Sequence, residues 1–395
     1  MYNDGTESAV SDPAVEANSV ERRLKYGDRE VQLPNKNAPK NNRFTQQELP
    51  ACRPLMTPRV VTVGFFLVGI LFVPLGAIVL AASSSVVEQS KRYDNEPECT
   101  ENAPDRHARE ANLQAQGGNG ISCVVLMKIE EDMKAPVYFY YQLHNYYQNH
   151  RRYVKSRSDK QLRGEDPDEE GFLDSLGLGS NDLDDCIPQK ERTVDEGDGS
   201  GLEEGQVGVI NPCGLIAWSY FNDTYSFTIL RKDSSISANE PLLISTKGIA
   251  WDSDKNNKFG HYTTDYFNNE TSSRGGGTVD GYVDEDEHFI VWMRTATLPT
   301  FRKLWGKFDT DFKKGDVLRV KIDNRYNTYR FDGQKKIVLS TTSWLGGKND
   351  FLGIAYVVVG IICMLLGLVF LGIHVKNPRP LGEASSLNWN PRSAE

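Results

Sequence analysis

Histidine is scarce and scattered in this chain, with six residues in 395. There is no H-E-x-x-H or C-x-x-C motif, so a metal site has no support in the sequence. The phosphate-cradling Walker A loop and the G-x-S-x-G nucleophile elbow are absent as well. Acidic runs such as Asp284-Glu285-Asp286 read as a solvated loop rather than an acid–base pair. Positive charge is also short. Lys and Arg number 45 against 54 Asp and Glu, a net charge of -9, so no basic face is available for nucleic acid. The first apolar run starts only at Val60 and lacks a small-residue cleavage pattern, which argues against a cleaved signal peptide.

Against those absences stand two long uncharged runs, Val60–Ala82 and Phe351–Ile373. Each is long enough for a helix to cross a hydrocarbon core of about 30 Å. The second is fed by Trp344 and Lys348, an interfacial ring and a snorkelling amine. It ends at His374 and Lys376, with Pro378 and Pro380 close behind. The first reads as an uncleaved signal anchor, with Pro74 expected to kink it. Neither run holds an ionisable residue, so transport by this chain alone is not expected. Small residues recur every seven positions, at Thr62, Gly69, Gly76 and Ser83 and again at Gly346, Gly353, Gly360 and Gly367. Seven residues is close to two helical turns, so each set forms a shallow stripe that another backbone can approach. Gly69, Gly76, Gly353, Gly360 and Gly367 are therefore candidate contacts to a membrane partner.

The expected organisation is a two-span membrane protein with a large loop. A polar, disordered tail (Met1–Asn42) leads to a juxtamembrane segment (43–59), the first span, an ectodomain over Ser83–Asp350, the second span and a tail over 374–395. Lys40, Arg43, Arg53 and Arg59 precede the first span, whereas Glu88, Asp94, Glu96 and Glu98 surround Lys91 and Arg92 after it. That asymmetry predicts cytoplasmic termini. Four of the six cysteines (Cys99, Cys123, Cys186 and Cys213) lie in the loop, as do both glycosylation sequons, at Asn222 and Asn269. Both features suit an oxidising lumen or the exterior. Cys52, on the other side, is expected to be free.

Within the loop, Cys123–Ile129 and Val137–Tyr141 read as strands, and Leu318, Val320 and Ile322 alternate with polar residues as a half-buried one. Phe289–Trp292 reads as another strand. Thr297 is placed as an N-cap before a helix with Leu298, Phe301 and Leu304 or Trp305 on one face. Asp332-Gly333 is expected to join Tyr329–Phe331 to Ile337–Leu339 as a hairpin. The ectodomain is thus expected to be β-rich with a few short helices. Arg151 and Arg152 lie in a Tyr-rich basic stretch fit for headgroups, phosphates or an acidic partner. Glu165–Glu204 holds fifteen acidic residues against two basic ones and reads as a mobile loop. Four cysteines leave three pairings open, neighbours in chain order being the simplest.

Several of these stretches resemble the accessory (beta) subunits of type IV P-type ATPases, the phospholipid flippases. They include the segment from Tyr147 to Arg157, Asn211-Pro212-Cys213-Gly214, Phe221-Asn222-Asp223-Thr224 and Lys247-Gly248-Ile249-Ala250-Trp251. The longest are Phe289–Leu304, which contains Trp292, Arg294 and Phe301, and Leu339–Asn349, which contains Trp344 and runs into Phe351–Tyr356. The similarity covers roughly Phe44 to Ile373, in order. It implies a non-catalytic subunit in heterodimer with a flippase ATPase, needed for exit from the endoplasmic reticulum and active there, in Golgi or endosomes, or at the plasma membrane. It also implies disulfides Cys99–Cys123 and Cys186–Cys213, a glycan on Asn222, contact with membrane lipids, and no cofactor. Trp292, Arg294, Phe301, Trp344, Arg151 and Arg152 become candidate interface residues. Where relatives often carry a sequon, Asn324-Arg325-Tyr326 has none. The chain also lacks an Asp-Lys-Thr-Gly phosphorylation motif, so it is not itself the pump. The alternative reading is a subunit of a two-span ligand-gated channel.

Overall fold

The computed structural model describes residues 23–26, 29–32, 42–45, 47–49, 57–164, 184–193, 207–232, 240–264, 276–279 and 281–378. Asn269, Cys52 and most of the acidic Glu165–Glu204 loop lie outside them. The chain divides into two units, Thr62–Lys376 and the two terminal segments. In the terminal unit, β1 (Arg23–Tyr26) pairs antiparallel with β2 (Arg29–Gln32). Composition predicts disorder there, but short apolar–polar alternation around Gly27-Asp28 favours local pairing.

The main unit begins in α1 (Pro58–Ser84) and closes with α8 (Asp350–Lys376), both long and apolar enough to cross a membrane. Helix α1 continues through Pro74. Between the helices, two four-stranded antiparallel sheets form the ectodomain. The first has the order β10 (Phe301–Phe308), β5 (Val137–His144), β12 (Gln334–Ser340), β3 (Glu88–Arg92). The second runs β4 (Ile121–Lys128), β11 (Val317–Asn324), β8 (Thr224–Leu230), β9 (Glu240–Leu242). Alternation builds each inner face. Val137, Phe139, Tyr141 and Leu143 of β5 are buried, as are Leu318, Val320 and Ile322 of β11, because successive strand side chains point to opposite faces. The two faces meet through aromatic rings. Phe139 lies edge-on to Phe227 at 4.8 Å and to Tyr225 at 5.1 Å. Gln89 and Lys91 of β3 donate to the carbonyls of Lys128 and Leu126, tying one sheet edge to the other.

Disulfides join Cys99 to Cys123 and Cys186 to Cys213, with Cα separations of 4.9 and 5.6 Å. The first ties the segment after β3 to β4. Asn324 is fully buried and donates to the Cys99 carbonyl at 2.9 Å, so it is a structural residue in a chain without a sequon there.

Three local expectations are overturned. Phe289–Trp292 belongs to helix α7 (Glu287–Met293), not to a strand. The β-branched and aromatic residues favour a strand, but Asp286 caps the helix by accepting from Phe289 N at 3.0 Å. Phe289, Ile290, Trp292 and Met293 then share the buried face. The predicted helix after Thr297 is strand β10, since Phe301 to Phe308 complete the open edge of β5. An i, i+3 apolar spacing fits either periodicity over so short a run. Tyr329–Phe331 is a 3-10 turn rather than a hairpin strand, with Asp332 at φ 57 and Gly333 N bonded to Thr328 O. Strand β12 pairs instead with β5 and β3.

The spans are fastened to each other where they leave the ectodomain. Ser83, 1% exposed, donates to Asp350 Oδ1 at 2.5 Å and accepts from Asn349 N at 2.9 Å. A hydrogen bond to a charged group is worth about 1.5–3 kcal/mol. Ser83→Ala is expected to lower the thermal midpoint of the solubilised chain and Ser83→Thr to retain most of it. An unchanged midpoint in the alanine variant would remove the latch from the account.

Candidate partner-binding site

The glycine stripes are built by the seven-residue period, and the structure turns them toward each other. Thr62, Gly69, Gly76 and Ser83 are buried on α1, and Gly353, Gly360 and Gly367 on α8. A Cβ on Gly76 would lie 2.8 Å from Val357 N and 2.9 Å from Gly353 O. One on Gly353 would meet Leu80 N at 2.9 Å, and one on Gly360 would meet Val73 Cγ2 at 2.8 Å. Gly69 approaches Met364 and the Gly360 carbonyl, and Gly367 packs on the Phe66 ring. Aromatic pairs Phe65–Phe370 and Phe72–Tyr356 flank the seam. The candidate partner contacts Gly69, Gly76, Gly353, Gly360 and Gly367 are thus corrected to an internal seam. The physical reason is that each stripe leaves a hollow that the backbone and side chains of the other helix fill. The faces left outward carry large side chains, among them Leu71, Ile78, Ile361 and Leu365.

In the ectodomain, α7 and the start of β10 position one surface groove. Helix α7 is held at both ends. Asp286 caps the first turn and also accepts from Tyr220 OH, while its carboxyl is pushed up by burial against those bonds. Lys303 Nζ donates to the carbonyls of Val291, Trp292 and Arg294 at the other end. Burial, with Arg294 nearby, lowers its pKa to about 7. Glu287 then clips a loop onto the helix by accepting from Ile249 N at 2.8 Å and Ala250 N at 3.1 Å. The next residue, Trp251, is 64% exposed and is covered on one face by the Arg294 guanidinium, 4.1 Å from the ring centroid. Arg294 also reaches Asp254 at 3.4 Å. With Leu298, 65% exposed, these side chains rim a cavity of about 550 Å³ whose wall includes Tyr140 and Phe301.

The sequence-predicted interface residues therefore separate by burial. Trp292 is fully buried, donating Nε1–H to Ile216 O at 2.8 Å, and Phe301 is 9% exposed. Both belong to the core, because aromatic rings on α7 and β10 fill the space between α7 and the sheet, and Phe301 also forms part of the groove wall. Arg294 and Trp344 remain available; Trp344 is 75% exposed on the Ser343–Gly346 turn next to α8. Arg151 and Arg152 are exposed on the short helix α3 (Arg151–Lys155), which follows the far end of β5. The span-proximal end of that sheet is set by Glu88, Ser340 and Tyr138, which align across β3, β12 and β5. At about 3.4 Å per residue, His144 lies some 20 Å further along the strand. That separation puts the entry of the chain into α3 at the end of the sheet away from the spans.

A family model described as the LEM3 (ligand-effect modulator 3) family, or CDC50 family, matches residues 79–380, which run from the end of the first span through the whole ectodomain and the second. The chain belongs to the CDC50 family. It is 47% identical to the Arabidopsis thaliana "ALA-interacting subunit 3" over 92% of this chain and 94% of that one. It is 35% identical to the Bos taurus "Cell cycle control protein 50A", over 86% and 89%. It is 30% identical to the Chaetomium thermophilum "Phospholipid-transporting ATPase accessory subunit CDC50", over 91% and 93%.

In this CDC50-family chain, two residues of the groove rim escaped sequence reasoning as site residues, Trp251 and Leu298. The available signal was their bulk within polar surroundings, at Lys247–Trp251 and beside Pro299. What was missing was Glu287, whose carboxylate sets the loop against α7 from 37 and 38 residues away. Among the described residues, no group of three His, Cys, Asp or Glu side chains is placed to hold a metal ion.

Proposed function

We propose that this CDC50-family protein is the non-catalytic accessory subunit of a phospholipid-transporting P-type ATPase, required for the pump's exit from the endoplasmic reticulum, its stability and its activity. The observation that carries this is the family match over both the ectodomain and the second span, in a chain with two apolar helices packed as one unit. The name of the Chaetomium relative supplies the partner's class. The channel alternative has no comparable support. The protein is integral to the membrane. We place both termini in the cytoplasm, the ectodomain in the lumen or outside, and glycans on Asn222 and Asn269. The compartments we propose are the endoplasmic reticulum, Golgi or endosomes, and the plasma membrane.

Because the glycines are used internally, the helix pair meets the pump's membrane helices through its outward apolar side chains. The groove rimmed by Trp251, Arg294 and Leu298 takes the pump's luminal loops, and Trp344 sits at the lipid boundary. Binding one pump conformation better than another shifts the transport cycle. Affinity capture of the tagged chain from mild detergent is expected to bring down a stoichiometric P-type ATPase. Recovery of the chain alone, or as a homo-trimer, would overturn the subunit reading.

A further inference from the structure

A second cavity, of about 660 Å³, lies beside Asn222 and plays no part in the surfaces described above. Trp305, His288, Asp286, Thr278, Arg325 and Lys247 line it. Its volume is within the range of about 300–1,000 Å³ that accommodates small ligands. Gly277 presses against Asn222 so closely that a Cβ there would lie 2.6 Å from Asn222 Cβ. The Gly277 position is itself fixed by its N–H, which donates to Tyr220 O at 2.6 Å. Asn222 Oδ1 is buried and accepts no hydrogen bond. Asn222, whose Nδ2 is the atom to which an N-glycan is joined, itself lines the cavity.

A sugar linked to Asn222 starts at the cavity wall, and N-acetylglucosamine brings hydroxyls and an acetamido group to meet its polar lining. The lining suits such a ligand. His288 stacks on Trp305 at 4.0 Å to give an apolar wall, and Thr278, Asp286, Lys247 and Arg325 add polar groups of both kinds. We propose that this cavity seats the first sugar of a glycan on Asn222, so that the sugar packs as part of the ectodomain instead of projecting into water. The order of events follows from the sequon's hydroxyl. Thr224 Oγ1 donates to Asp323 Oδ2 at 3.0 Å, across the ladder between β8 and β11. The glycan is therefore attached before those strands pair, and the cavity closes around it.

This inference rests on the luminal placement and glycosylation proposed above, and the test separates the two. The full chain, purified with its captured ATPase, is treated with peptide-N-glycosidase in heavy-oxygen water, natively and after denaturation, and Asn222 is followed by peptide mapping. A seated sugar is expected to be released natively at least about tenfold more slowly than from the denatured chain, equivalent to about 1.4 kcal/mol of seating. Thr278→Tyr, which fills the cavity, is expected to bring the native rate up toward the denatured one. Lys247→Ala, at an exposed rim position, gives a milder rise and serves if the tyrosine variant does not fold. An occupied Asn222 released equally fast in both states overturns the seat and leaves the subunit reading intact. An unmodified Asn222 in a chain that still captures the pump overturns the glycan and the seat together.

Discussion

Lys335→Met is expected to destabilise the ectodomain by about 3–5 kcal/mol, the cost of leaving a buried charge without its partner. Lys335 is fully buried on β12 and its Nζ donates to Asp223 Oδ2 at 2.7 Å, to Tyr326 O at 2.6 Å and to Asn324 Oδ1. Burial pulls the ammonium below its ordinary pKa, and Asp223 opposes that shift. Asp223 is equally buried and accepts from Tyr93 OH, Arg325 N and Tyr326 N, each at 2.6 Å. The pair therefore ties β12 and the end of β11 to the residues that flank β3 and β8, at one point between the sheets. Methionine matches the length of the lysine stem but leaves the Asp223 charge uncompensated. For a domain of this size the thermal midpoint should fall by about 6–20 °C. Adding Asp223→Leu should not restore it, because Tyr93 and two backbone N–H groups then lose their acceptor. A midpoint within about 2 °C of the parent would show that the pair contributes little.

The second large effect is expected in the membrane. Gly76→Leu places a side chain where a single Cβ already meets the Val357 N and Gly353 O backbone atoms below 3 Å. Backbone atoms on a continuous helix cannot step aside, so the helices must separate. Overpacking of this kind costs about 1–3 kcal/mol or more. Lipid tails are as apolar as leucine, so the closeness lost is not repaid by burial elsewhere. Capture of the ATPase from detergent should fall severalfold. Gly64→Leu in the same helix is the control, since nothing lies within 4 Å of its Cβ position. Equal loss in the two variants would mean that leucine in α1 is harmful wherever it is placed, and the seam would lose its role.

Much of this protein was legible from residues alone, for reasons that differ by region. The spans follow from length and the absence of charge, which depend on the solvent rather than on neighbouring elements. Strand β11 follows from the alternation of Leu318, Val320 and Ile322, because that periodicity sorts one face to the core on its own. Other features depended on what stands opposite them. Residues 287–308 carry strand-like composition before Arg294 and helix-like spacing after it, and the structure reverses both. The cap at Asp286, the carbonyls gathered by Lys303 and the open edge of β5 decide that outcome, and each involves a residue distant in sequence or a backbone group.

The same division runs through the candidate site. Sequence alone located small-residue stripes, exposed basic residues and aromatic motifs, because these are properties of residue type and spacing. It had no means to tell that the two stripes face each other, that Trp292 is core while Trp251 is surface, or that the chain enters α3 at the end of the sheet away from the spans. Burial is a property of pairs of elements, and only the tertiary structure brings the pairs together. Sequence determined that this is a two-span, disulfide-bearing protein with the motifs of its family. The packing of α1 on α8 and of α7 on β10 decided which of those residues are left outward for a partner.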